Sequence, residues 1–220
     1  MRSRLTLQSI DLHTGGEPLR LITAGYPPIP SAPILERRRW VRDNADHVRQ
    51  AICFEPRGHR DMYGAVLLPP FRDDADLAVL FMHNEGYSTM CGHGVIAIGV
   101  ALVEEGLVSA TAPETVIRLE APAGLVTARV AVEMDSDAAP VVREVRFTNV
   151  PSYLAARDLR LRPDGVALHG EAVRRDGLAV DVGFGGAYYG IVDAADLGLR
   201  VVPSQVEELT RAGAAITELL

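Results

Sequence analysis

The chain has 220 residues, 48% of them hydrophobic and 23% charged, with a formal net charge of −7. That length suits one large domain or two small ones, with the composition of a packed globular protein. An acidic balance presents no basic face, so neither nucleic acid nor an anionic membrane is an expected partner.

Met1 is followed by polar and charged residues rather than an apolar signal region, and no uncharged run is long enough to span a bilayer. A cytoplasmic, reducing location is expected. The first strand spans Leu5–Leu12, where apolar and polar residues alternate, and a second spans Leu19–Ala24 beyond a Gly15-Gly16 loop. Four prolines keep residues 26–33 irregular. A helix is expected over roughly Ile34–Ala51, with Arg37, Arg38 and Arg39 beside Trp40 on a solvated surface turn. A polar loop from Pro56 leads into an apolar strand, Ala65–Leu68, and another strand covers Asp76–Asn84.

A helix of about Gly92–Glu105 follows, stopped by Gly106. It has almost no polar face before Glu104, so it should be buried all round with strands wrapped about it. Strands are then expected at Thr115–Ala121, Val126–Met134 and Val141–Val150, the last two joined by a hairpin over 135–140. A second unit starts near Pro151, with strands at Gly177–Gly183 and Gly190–Asp193. It ends in an amphipathic helix, Ser204–Leu220, with Ser204 as N-cap and Glu207 at the capping-box position. These blocks argue for α+β layers with mostly antiparallel strands.

Cys53 and Cys91 are the only cysteines, without a Cys-x-x-Cys, so free thiols are expected. Cys53 has apolar neighbours and reads as inert core. Cys91 stands at the mouth of the apolar helix, flanked by Gly92, His93 and Gly94. Unpaired N–H groups and the positive helix end should stabilise a thiolate there, or an anion beside it. Six histidines are present (His13, His47, His59, His83, His93 and His169), but no spacing pairs one with Cys91 for protease-like catalysis. No second ligand pair accompanies Cys91 and His93, so no metal is expected. Gly183-Phe184-Gly185-Gly186 lacks the lysine and spacing of a phosphate loop and reads as a tight turn.

Three ordered motifs carry a resemblance: Asp11-Leu12-His13-Thr14-Gly15-Gly16-Glu17-Pro18-Leu19-Arg20; Pro56-Arg57-Gly58-His59 with Asp61-Met62-Tyr63-Gly64; and Met90-Cys91-Gly92-His93-Gly94. Together they resemble the proline racemase family. The resemblance implies a pseudo-symmetric, two-lobe α+β fold of the diaminopimelate-epimerase type, each lobe a set of strands wrapped around a buried central helix. Residues 1–148 would be the first lobe and 149–220 part of a second. No cofactor and no metal are implied. Cys91 would match the base that removes a Cα proton, Gly92 and His93 the positions that hold the substrate, and Tyr63 an aromatic wall of the pocket. His13, Thr14, Arg57 and His59 read as loop architecture.

Family members carry a further aspartate and a Cys-Gly-Thr or Thr-Gly-Thr motif in the second lobe, and no such motif follows Cys91 here. The second lobe is therefore expected to be incomplete. The run Met90–Gly99 is most similar to members that dehydrate trans-3-hydroxy-L-proline to Δ1-pyrroline-2-carboxylate. Epimerisation of 4-hydroxyproline, racemisation of proline, and a truncated, non-catalytic remnant stay as alternatives. The implied partner is a small hydroxyproline or proline, with a homodimer left open.

Overall fold

The computed structural model describes residues 5–162 and 177–220. The chain divides into two compact units, one through Val150 and the other from Pro151.

In the first unit, β1 (Gln8–Thr14) and β2 (Glu17–Ala24) form a hairpin, followed by α1 (Ile34–Asn44) and α2 (Asp46–Cys53). Then come β3 (Tyr63–Leu68), β4 (Leu77–His83), α3 (Gly92–Glu104), β5 (Glu114–Ala121), β6 (Gly124–Met134) and β7 (Pro140–Thr148). The seven strands make one sheet in sequence order. Four of its pairings are antiparallel, as expected. The β2/β3 and β4/β5 pairs are parallel. Each parallel pair is bridged by helix, because strands pointing the same way need a long crossover.

The alternation of side chains along β4 places the helices. Ala78, Leu80 and Met82 share a core cluster with Val41 of α1 and with Ile52 and Cys53 of α2. Phe81, one step out of phase, faces α3, where a Cβ added to Gly94 would lie 2.8 Å from its Cε1. Both faces of β4 are thus covered, and its five central residues are all buried.

Helix α3 is the apolar axis of this unit. It packs against β1 and β2 from one end of the sheet and β6 and β7 from the other, so the sheet curls around it. Glycines permit the close approach: a Cβ on Gly99 would stand 2.9 Å from Val145 Cγ1 of β7. Val95, Ile98, Leu102 and Val103 are at most 1% exposed, and each contributes about 1.5–3 kcal/mol of hydrophobic burial. Gly106 ends the helix in the left-handed region at φ 65°.

Two local expectations change in this unit. The helix over residues 34–51 is two helices, broken at Ala45, whose φ of −131° and ψ of 15° are not helical. Arg37 is not on a solvated turn: it lies in α1, buried, and donates from Nη1 to the Pro69 carbonyl at 2.6 Å. The buried guanidinium pulls the loop after β3 onto the helix.

The second unit contains a three-stranded antiparallel sheet, ordered β10 (Tyr188–Ile191), β9 (Leu178–Phe184) and β8 (Tyr153–Leu161). Strand β8 was not expected. Gly185 and Gly186 turn β9 into β10, and Gly185 N–H donates to the Ala187 carbonyl at 3.0 Å. The C-terminal helix α4 (Val206–Thr217) sets Ile216 against Leu161, Leu178, Val180 and Leu197. Gln205, not Ser204, is its N-cap, since Ser204 belongs to a short 3-10 turn that precedes it.

Among the described residues, no helix is long and apolar enough to cross a membrane. Nor do the described residues hold a group of three or more His, Cys, Asp or Glu side chains arranged for a metal ion.

Candidate active site

Cys91 is the N-cap of α3, with φ −145° and ψ 107°, and it is 5% exposed. The bend from extended to helical backbone at this residue leaves the N–H groups of the first turn without partners inside the helix. The Gly94 N–H is directed at the Cys91 sulfur and lowers its pKa. Burial works against this and is the larger effect, and the nearby Glu17 carboxylate adds to it. The thiol is pushed up to about 11. The sequence suggested a stabilised thiolate; in the folded protein desolvation wins, and the thiol is neutral at physiological pH.

The structure pairs a histidine with this thiol, which no spacing had revealed. His93 Nδ1 and Nε2 lie 3.5 and 3.6 Å from Cys91 Sγ. Nε2 also lies 3.3 Å from the Pro18 carbonyl. A carbonyl only accepts, so this contact places the proton on Nε2 and leaves Nδ1 to accept from the thiol. The Thr14 hydroxyl donates to the His93 carbonyl at 2.9 Å, and the Tyr63 ring meets His93 edge-on at 4.8 Å between centroids. Tyr63 also leans on His83, at 5.4 Å.

Cys91, His93 and Tyr63 are therefore neighbours. Gly92 sits at the start of α3, where a Cβ would meet Phe147 Cζ at 3.2 Å. Its side-chain direction is closed by protein, and only its backbone is available to a ligand. His13 accepts from Gly16 N–H at 3.4 Å and His59 Nδ1 contacts the Arg60 carbonyl at 2.6 Å, both at their own loops. His169 lies outside the described residues.

Two residues to which the sequence assigned no role of their own hold the motifs together. Arg20 makes a bidentate pair with Asp11, both contacts at 2.7 Å, and donates to the carbonyls of Ile52 and Arg57. This fork-to-fork contact holds the Asp11 carboxyl below its ordinary range. Asn84 donates to the Cys53 and His59 carbonyls and accepts from Met62 N–H at 3.0 Å. Arg20 thus fastens the first motif to the second, and Asn84 fastens the approach to Cys91 to the same loop. A polar residue straight after the end of β4 was the available signal for Asn84.

A strand-wrapped helix capped by a buried cysteine, with a histidine and a tyrosine beside it, is the centre of an α+β unit. The proline racemase family model matches residues 9–220, and the chain belongs to that family. It is 45% identical over 213 residues to the trans-L-3-hydroxyproline dehydratase of Xenopus tropicalis, covering 96% of this chain and 57% of that protein. It is 43% identical over 216 residues to the 3-hydroxyproline 2-epimerase of Burkholderia multivorans, covering 98% of this chain and 60% of that one. The crystal structure of a hydroxyproline epimerase from Agrobacterium vitis, with bound trans-4-hydroxy-L-proline, superposes with a TM-score of 0.84 at 28% identity, over 99% of this chain and 60% of the other. The chain spans less than two thirds of the length of these relatives.

Proposed function

We propose that the chain carries the Cys91 lobe of a cofactor-independent hydro-lyase that converts trans-3-hydroxy-L-proline to Δ1-pyrroline-2-carboxylate. The carrying observation is the 45% identity, over 96% of the chain, to a protein named for that dehydration. The two lobes would be residues 1–148 and 149–220.

The chemistry follows from the neighbourhood of the thiol. The N–H groups of Gly92 and His93 hold the substrate carboxylate at the positive end of α3. Tyr63 forms a wall for the five-membered ring. The Cys91 thiolate takes the Cα proton, and the electrons of that C–H bond form the C2=C3 double bond. The C3–O bond breaks, and the departing hydroxide takes the proton now on Cys91 and leaves as water, restoring the thiolate. The resulting enamine moves a proton from nitrogen to C3 and becomes the Δ1-imine. Burial raises the pKa of the thiol, and this has two opposing consequences. It makes the thiolate a stronger base toward a weak carbon acid, while making it scarce at neutral pH. A free thiol base also requires a reducing compartment, in keeping with a cytoplasmic location.

A second reading is favoured by the 43% identity to a 3-hydroxyproline 2-epimerase. There the same proton is removed and returned to the opposite face, and the hydroxyl stays. Incubating the 220-residue chain with trans-3-hydroxy-L-proline in D2O separates the two. Dehydration yields pyrroline-2-carboxylate; epimerisation yields the other C2 epimer, deuterated at C2. Cys91→Ser should abolish either by at least 100-fold. Absence of both products, in wild type and Cys91→Ser alike, would sink the enzyme reading for this chain.

A further inference from the structure

The arginine run of α1 takes no part in the chemistry proposed at Cys91. Leu35, Arg38, Arg39 and Arg42 follow the helical spacing that puts side chains on one face. With α2 and the turn after β4, that face lines a cavity of about 640 Å3. Pockets of this size accept small metabolites.

Charge compensation inside the cavity is uneven. Arg49 is neutralised by Asp46, its Nε and Nη2 donating to the carboxylate at 2.6 and 2.9 Å. Arg42 pairs with Asp43 at 2.9 Å. Among the described residues Arg38 has no such partner: its Nε donates at 2.9 Å to the Tyr87 carbonyl, which also accepts from its Nη2. A carbonyl fixes the guanidinium plane without cancelling its charge, and leaves further N–H groups of the fork unused. Arg39 makes no ion pair among the described residues. Two uncompensated guanidiniums therefore share a concave surface in a chain whose net charge is −7. Their combined charge matches a dianion better than a lone carboxylate. The cavity also has non-ionic walls, Leu35 and Tyr87, and one carboxylate, Glu85, that makes no ion pair among the described residues.

We propose that this cavity binds a small phosphomonoester bearing hydroxyl groups, with its phosphate held by Arg38 and Arg39 and its hydroxyls donating to Glu85. Bidentate guanidinium contacts suit phosphate oxygens. Glu85 would repel a bare anion, which selects for a ligand with donors beside the phosphate. The cavity lies against the turn that leads toward Cys91, so an occupant would brace that segment.

Calorimetric titration of the intact chain tests this, with glycerol 3-phosphate as the probe and sulfate at matched ionic strength as the control. Saturable one-to-one binding of the ester is expected, at least tenfold tighter than sulfate. Arg39→Gln, an exposed position whose loss does not threaten the fold, should weaken it at least tenfold. Arg38→Gln with Arg39→Gln should abolish it, and Cys91→Ser should leave it unchanged. The proposal is overturned by any of three results: no saturation, sulfate binding as tightly as the ester, or an unchanged isotherm in Arg39→Gln. A ligand lost in Cys91→Ser would belong to the candidate active site instead, and that too overturns it.

Discussion

At the level of the single residue, two effects contend at Cys91. The end of α3 and the Gly94 N–H favour the thiolate, whereas burial and Glu17 favour the thiol. Burial is the larger, and the thiol is pushed up to about 11. Alkylation by iodoacetamide, a neutral reagent that reacts with thiolate, reads the balance directly. In brief pulses, carboxamidomethylation of Cys91 followed by mass spectrometry should rise about tenfold per pH unit from pH 8 to 10. It should show no plateau below about pH 11. A plateau below pH 8 would mean that the helix end prevails. Cys91 itself was legible in the sequence, because a thiol between glycines at the start of an apolar run is a local pattern. Its pKa was not, since burial depends on how the whole unit packs around the start of α3, and the Glu17 carboxylate comes from the first hairpin. The His93 pairing was hidden for the same reason. The Pro18 carbonyl that orients the ring lies 75 residues away in sequence.

The elements divide along the same line. Helix α3 was legible almost to the residue, since an apolar 13-residue stretch with a glycine stop has one reading. Strand β8 was not: eight of its nine residues lie at the surface or partly so, and no alternation marks a buried face. Its pairing with β9 also slips twice, around Ala156, and Asp158 has φ 52°. The parallel pairs β2/β3 and β4/β5 depend on which strands meet after a crossover, which alternation alone does not encode. What α3 demands of its sequence is testable at Gly94. A Cβ there would lie 2.8 Å from Phe81 Cε1 and 3.0 Å from Cys91 Sγ. One contact is a ring in a close-packed face, the other the candidate base. Overpacking of this kind costs about 1–3 kcal/mol, so Gly94→Ala should lower the urea midpoint accordingly. It should also change the rate of Cys91 alkylation, because the sulfur must move. Gly213→Ala in α4, where a Cβ meets nothing within 4 Å, is the matched control and should be neutral or slightly stabilising. Equal effects from the two substitutions would show that α3 is not packed against β4 as described.

On the scale of the whole molecule, the two free thiols should lower stability on the alkaline side. Cys53 lies in the core between α2 and the sheet, fully buried, and burial pushes it up to about 11, as it does Cys91. An unfolded thiol ionises near pH ~8.5. The folded value is the higher one in both cases, so the folded state keeps its protons longer than the unfolded state. The stabilisation is then fully present below pH ~8.5 and is lost as pH rises toward 11. Each shift is worth about 3 kcal/mol, and the pair together would consume much of the ~5–15 kcal/mol typical of a folded chain. Tyr26 and Tyr87, also raised by burial, act in the same direction at higher pH. The acid side has the opposite sign. Asp11 and Asp46 are held low by Arg20 and Arg49, and their contribution fades as pH falls through the carboxylate range. Urea midpoints should accordingly be flat from about pH 6 to 8 and fall steeply between about pH 9 and 11. Cys53→Ala combined with Cys91→Ala lowers the plateau, because Cys53→Ala opens a small cavity, but it should flatten the alkaline limb. The slope, not the height, is the diagnostic. If the doubly substituted chain loses stability above pH 9 as steeply as the wild type, the thiols are not the groups that the folded protein holds protonated.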